Sequence, residues 1–304
     1  MKSEKIMNSF SLNRFWKTFR WVVATNFRTL TMWTVGGAAG VFLLSMIIIG
    51  MHDSYRRGLT NVAQMQSSYL GDLQNVSSLC CVILWIAALL GLSTIFLNLN
   101  KKAKRESFLM LPASNMEKFL SAVIYVTVVW TLSMFLAYCL GDTLRMVARS
   151  VIYGNQWIST IPMTLKSIIP TIHFSSFGLV VPTWTRVMII DMIVFGFIWA
   201  HSLYILSGTL LRKYSFVVSS LVLILSIILT AWIVDKLDLK VFYVETIEIP
   251  NTKVDYVQKT GVMGYVLGIG FPLLACFNYW ASYRIFKGFQ LISNKWTNYD
   301  ILKR

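Results

Sequence analysis

Charge is what this 304-residue chain has least of: 13% of its residues are Asp, Glu, Lys or Arg, against about 25% in a typical soluble domain. With 56% hydrophobic residues and a mean hydropathy of +0.62, a water-soluble globular fold is excluded. Histidine is scarce too, and His52, His173 and His201 form no H-E-x-x-H, which excludes a zincin centre. The four cysteines (Cys80, Cys81, Cys139, Cys276) lie in or beside apolar runs with no C-x2-C spacing. They read as small packing residues, not as a disulfide framework or metal site. No G-x4-G-K-[S/T] loop occurs, and the dipeptide Gly-Lys is absent altogether. ATP hydrolysis by such a loop must therefore come from another chain. Ser93, in GLSTI, lacks the G-x-S-x-G setting of a nucleophile elbow and reads as a helix-packing serine. The basic first thirty residues lack the apolar core and small-residue cleavage site of a secretory signal, so no cleaved leader is expected.

What is present is long apolar sequence. A membrane-spanning helix needs about 20 mostly apolar residues, and six stretches qualify: Met32–Met51, Leu79–Leu97, Phe119–Leu140, Val187–Leu211, Phe216–Val234 and Val262–Tyr283. Gly36, Gly37 and Gly40 in the first, and Gly264, Gly268 and Gly270 in the last, suit close helix–helix contact. Ahead of them, SLNRFWKTFRWVVATNFRTL (residues 11–30) carries Phe15, Phe19, Val22, Val23, Phe27 and Leu30 at helical spacing, with Arg14, Lys17 and Arg28 on other faces. That pattern, with Trp16 and Trp21, suits an amphipathic helix in the headgroup layer. The helix either simply anchors the chain or transmits movement into the first span. The expected fold is all-α: an integral membrane protein of six transmembrane helices preceded by an interfacial helix, with long extracytoplasmic loops, as a single domain over residues 1–304.

The connections sort by charge. One side holds 18 Lys/Arg against 4 Asp/Glu, a net +14; the other holds 10 against 8, a net +2; Asp191 falls within a span. The excess of Lys and Arg puts both termini, residues 98–118 and Arg212-Lys213 in the cytoplasm. Residues 53–78, 141–186 and 235–261 then lie outside. The overall +15 is thus mainly an orientation signal, and no nucleic-acid partner is expected. The third outer segment, VFYVETIEIPNTKVDYV, alternates around Pro250-Asn251 as a small β-hairpin would.

One connection is more than a linker. In RESFLMLPASNMEKF (residues 105–119) the polar-then-apolar run over Lys104–Leu111 predicts two turns of surface helix. Pro112 ends it. Ser114 and Glu117 then stand at capping-box spacing for a fresh helix. The pattern predicts a rigid elbow. ESFLMLPASNMEKFL resembles the L-x-x-L-P-x-S-x-x-E-x-F stretch of the type-2 ABC-transporter permeases, an exporter-like family, and the six spans, entrance helix and cytoplasmic termini match that family's architecture. The resemblance implies a permease half with no catalytic residues of its own. Lys104, Arg105, Glu106, Phe108, Leu109, Pro112, Ser114 and Glu117 would couple it to a separate ATP-binding subunit, which would hold ATP and Mg. A second permease half, identical or not, would complete the path in the cell membrane, a bacterial inner membrane by this likeness. The long 141–186 connection, with Trp157, Pro162, Pro170 and Trp184, departs from the family pattern and leaves the substrate open.

Asp191 is the one acid inside a span, where a charge marks either a pathway or a pairing. Arg186 or a neighbouring helix is expected to hold it, in a mainly structural role. His201, ten residues on, is about 15 Å further along a helix and out of reach; a bond to a neighbouring helix is expected for it. No metal site is expected. The competing class is a stand-alone membrane enzyme using Asp191 and His201, or an immunity or sensor protein, which an ATPase gene beside this one would argue against.

Overall fold

The computed structural model describes residues 10–100, 102–154, 157–168, 179–249 and 252–289. Lys2, Glu4, Lys5, Lys101, Pro170, His173, the Pro250-Asn251 turn and the tail from Lys295 to Arg304 lie outside them. The elements in chain order are α1 (Leu12–Met51), α2 (Asp53–Arg57), α3 (Val62–Ser93), a 3-10 turn (Leu97–Asn100), α4 (Lys102–Leu109), α5 (Asn115–Ile124), a π turn (Tyr125–Val129), α6 (Trp130–Tyr153) and α7 (Ile161–Ile168). They continue with β1 (Leu179–Val180), α8 (Thr183–Leu210), α9 (Ser215–Lys236), β2 (Phe242–Ile249), β3 (Thr252–Thr260) and α10 (Val262–Lys287). Among the described residues six helical stretches are long and apolar enough to cross a bilayer: α1, α3, α5 through α6, α8, α9 and α10. This is the build of a multi-pass membrane protein.

Three expectations need correction. The entrance helix is not separate. Nothing between Leu30 and Trp33 breaks a helix, and α1 runs unbroken for 40 residues, about 60 Å against about 30 Å of hydrocarbon. Residues 53–78, expected among the outer loops, are mostly helical, since α2 and the first half of α3 occupy most of them. The third helical stretch does not stop at Leu140: it continues to Tyr153 and takes in Asp142, Arg145 and Arg149. All-α also needs one amendment, a three-stranded sheet in the order β1-β3-β2. Its β2–β3 pair is antiparallel, with Phe242 opposite Thr260 and Val244 opposite Gln258, so the alternating hairpin pattern is realised.

The chain divides into two compact units. The first comprises Leu12–Gly91 and the described residues of 124–171. Here α1 lies along α6, and the crossing is close because Gly141 has no Cβ: one built there would sit 2.7 Å from the Ala38 carbonyl oxygen. A Cβ built on Gly37 would lie 3.2 Å from the Ala137 Cβ, while Gly36 and Gly40 face open space. Ile49, Tyr69, Leu73, Val76, Cys80 and Tyr138 form the buried core. Tyr138 Oη shares hydrogen bonds with Thr160 and Thr164 (2.7 Å each), and Thr164 meets Ser77 at 2.9 Å, which fixes α7 to this core.

The second unit comprises Leu92–Val123 and the described residues of 172–304, with Phe10 and Ser11. Its main packing is α8 on α10, with α9 returning along α8 after a short connection. Tyr214, at the start of α9, takes a left-handed backbone (φ 59°) to make that turn. Ser215 Oγ donates to the Ser93 carbonyl, and Asn278 Nδ2 to Ser202 Oγ. Phe96, Phe108, Phe119, Phe286 and Phe289 form an aromatic cluster with ring centroids 5.2–6.5 Å apart.

Candidate functional site

The elbow lies in the second unit and is built as a locked joint. α4 ends at Leu109, and Met110 N–H closes its last turn on the Glu106 carbonyl. After Pro112 the expected capping box is present: Ser114 N–H donates to Glu117 Oε2 (2.8 Å), and Glu117 N–H donates to Ser114 Oγ (3.3 Å). Glu117 is 0% exposed. Its second oxygen accepts from Ser11 N–H (2.6 Å), so one carboxylate ties the fresh helix to the segment that leads into α1. Lys118 Nζ reaches back to the Leu109 carbonyl (2.7 Å), fastening the end of α4 to the start of α5. Neither the Ser11 nor the Lys118 tie was expected: Ser11 comes from 106 residues away, and Lys118 reaches back nine residues across the break at Pro112.

The elbow's faces differ from expectation. Phe108 and Arg105 are each 2% exposed. Phe108 packs on Phe96 and Phe286, and the Arg105 guanidinium stacks over Phe289 at 5.3 Å. Burial, then the nearby Arg212 charge, lowers the Arg105 pKa. These two side chains hold α4 in place and do not form its outer surface. The outer surface is Ser107, Met110 (78% exposed) and Pro112, with Lys104, Glu106 and Leu109 half-buried beside them.

Of the two holders expected for Asp191, Arg186 does not pair with it. Arg186 Nε donates to the Val181 carbonyl (2.9 Å), and Asp191 makes no ion pair among the described residues. Asp191 instead faces α10, where a Cβ on Gly268 would lie 3.2 Å from its Oδ2. Both residues line a groove of about 450 Å³ with Trp184, Met188, Pro272 and Leu273. His201 behaves as expected: its Nδ1 pairs with Tyr279 Oη on α10 at 2.6 Å.

A third constellation, in the first unit, was not anticipated. Asp53 on α2 accepts a fork from Arg149 on α6 (2.9 and 3.2 Å) and a bond from Arg56 (2.5 Å). Arg56 also bonds Asp72 on α3 and the Ile49 carbonyl, and His52 Nδ1 lies 2.8 Å from Asp72. Deeper, Asp142 and Arg145 pair on α6. Asp142 receives Ser159 and both donors of Thr160, while Arg145 donates to Tyr69 Oη and the Ile158 carbonyl. Burial pushes the Asp53 carboxyl up, but the bonds from Arg149 and Arg56 outweigh it and hold the pKa at about 2. Three acids and three arginines thus staple α2, α3, α6 and the start of α7.

No family model, curated protein or solved structure matches this chain.

The three constellations have different capacities. In the ionic cluster the acids and arginines bond one another and the backbone, which suits holding helices together. The elbow combines a rigid joint with an exposed outer face, which suits transmitting a push. The groove sets a carboxylate without an ion pair against an apolar wall, which suits a ligand. Asp191 and His201 are not brought together, so no acid–base pair arises from them.

Proposed function

We propose that this chain is the permease subunit of an ATP-driven transporter, an exporter-like half that receives its power stroke through the elbow over residues 102–118. The observation that carries the reading is the joint itself. A short helix with an exposed outer face is fastened by Glu117, Lys118 and Ser114 to the start of a membrane-length helix and to Ser11. A passive connection requires none of these ties. A lever does, because work delivered to a floppy loop is dissipated before it reaches the span.

In this reading Ser107, Met110 and Pro112, with Lys104 and Glu106, sit in a recess of a separate ATP-binding subunit, and that subunit holds ATP and Mg. A second half, identical or not, flanks the path. The charge bias supports cytoplasmic termini in a cell membrane, bacterial by resemblance. The length of α1 supports an amphipathic first half lying outside the hydrocarbon, where Trp16 and the basic residues suit headgroups. Co-expression of the tagged chain with any ATP-binding-cassette ATPase found encoded beside it tests the proposal. Stoichiometric co-purification, lost on Met110→Asp with Lys104→Glu, is the expected result; purification of the chain alone in every detergent tried contradicts it.

A further inference from the structure

The groove between α8 and α10 carries features that coupling to an ATPase does not use. Asp191 stands eight residues into α8 and Gly268 six into α10, depths of about 12 and 9 Å along the two helices. A carboxylate at such a position is costly unless something neutralises it, and among the described residues nothing pairs with Asp191. Pro272 lies inside α10, one turn after Gly268. Lacking an N–H, it leaves the Gly268 carbonyl without its usual i+4 donor. A carboxylate without an ion pair and a backbone carbonyl without its helical donor therefore belong to residues that line one groove. Its other walls are apolar or aromatic, and among the described residues no Lys or Arg lines it. Trp184, at the mouth, is held by its indole N–H donating to Tyr265 Oη (3.1 Å), and its ring is available to a cation. Leu273, on the rim, is well exposed.

We infer that this groove binds an amphiphile with a protonated amine head and an apolar tail: the ammonium donates to Asp191 and the Gly268 carbonyl, and the tail lies along Met188 and Leu273. Charge complementarity decides the class. An anionic head meets only the Asp191 charge, and a phospholipid brings a phosphate for which the lining offers no cation. A bare inorganic cation leaves the apolar wall unused. Binding stands on the groove alone; that the ligand is the cargo rests on the permease reading above.

The test uses the full chain in phosphatidylcholine nanodiscs, without any partner, and tritiated dodecylamine as probe, with empty nanodiscs subtracted. Saturable binding is expected, weakened about 10- to 150-fold by Asp191→Asn, the range for a lost charge-assisted hydrogen bond. Dodecanol, with the same tail and no charge, should displace the probe poorly. Leu273→Lys, at an exposed position, supplies a tethered ammonium and should abolish binding while Asp191 stays in place. It covers the case in which Asp191→Asn fails to assemble. Equal binding by wild type and Asp191→Asn, displacement by dodecanol as strong as by dodecylamine, or abolition of binding in phosphatidylethanolamine nanodiscs would each overturn the inference. None of these touches the permease reading, just as failure to co-purify an ATPase leaves the binding result standing.

Discussion

Removing the Asp53 carboxylate should unfasten the first unit. It is nearly buried and serves two arginines, one on its own short helix and one on α6. Asp53→Asn leaves Arg149 buried without its bidentate partner, whereas Arg56 keeps Asp72. Breaking one side of a buried pair costs about 3–5 kcal/mol, while replacing both partners by apolar groups is often near neutral. The single variants Asp53→Asn and Arg149→Met should therefore each be strongly destabilising. The double variant should be less destabilised than the sum of the two, with a coupling of about 1–3 kcal/mol. Reversible unfolding in mixed micelles, followed by circular dichroism, measures all four corners of the cycle. Strict additivity, or a cost under about 0.5 kcal/mol for Asp53→Asn, would refute the staple. The pH dependence has a definite sign. The folded carboxyl sits at about 2 against an ordinary 3.8, so its contribution is complete above pH 4 and disappears as pH falls through 2. Asp53→Asn should flatten the stability curve in that window and leave it unchanged in shape above.

Phe108→Ala should lower thermal stability by about 3–5 kcal/mol, as large core truncations do, and lose ATPase association only through unfolding. Met110→Asp with Lys104→Glu should keep the thermal midpoint and lose the ATPase, and the opposite pattern in paired melting and pull-down experiments contradicts the assigned faces. Ser114→Ala should cost about 1 kcal/mol, leave the ATPase bound and reduce transport per ATP hydrolysed; full coupling in proteoliposomes would show that the cap is not part of the lever. A cysteine at Lys102, on a background lacking Cys80, Cys81, Cys139 and Cys276, should resist an impermeant thiol reagent in intact cells, and its labelling would reverse the orientation.

Much of this architecture is written in local patterns. Apolar runs longer than a bilayer needs appear as helices, and the alternation in VFYVETIEI appears as a strand. The Ser114–Glu117 box was legible because a cap is a contact three residues long. Ser11 and Lys118 were not legible as parts of the joint: one partner arrives from 106 residues away, and the other looks like one more cytoplasmic lysine. The inward turn of Phe108 has the same cause, since it depends on Phe96 and Phe286, which no local pattern brings near. The glycine assignments show the limit clearly. Gly37 and Gly268 do meet neighbours, but the tightest approach of α1 to α6 uses Gly141, which stood alone in its stretch.

The ionic cluster was missed for a different reason, and a signal for it existed. Asp142, Arg145 and Arg149 recur at i, i+3 and i+7, one face of a helix. Ending the third span at Leu140, where strong hydropathy ends, hid that face by assigning its charges to a loop. The helix continues because those charges have partners. Asp142 collects Ser159 and Thr160, and Arg149 collects Asp53, so the desolvation that would end a lone charged helix is offset from neighbouring segments. Asp191 is the reverse case. It was legible as an anomaly because it stood alone in apolar sequence, and in the folded chain it still has no ion pair among the described residues. A charge with partners supports structure, and a charge left facing an apolar groove is available for a ligand. That contrast assigns Asp53 to the staple and Asp191 to binding.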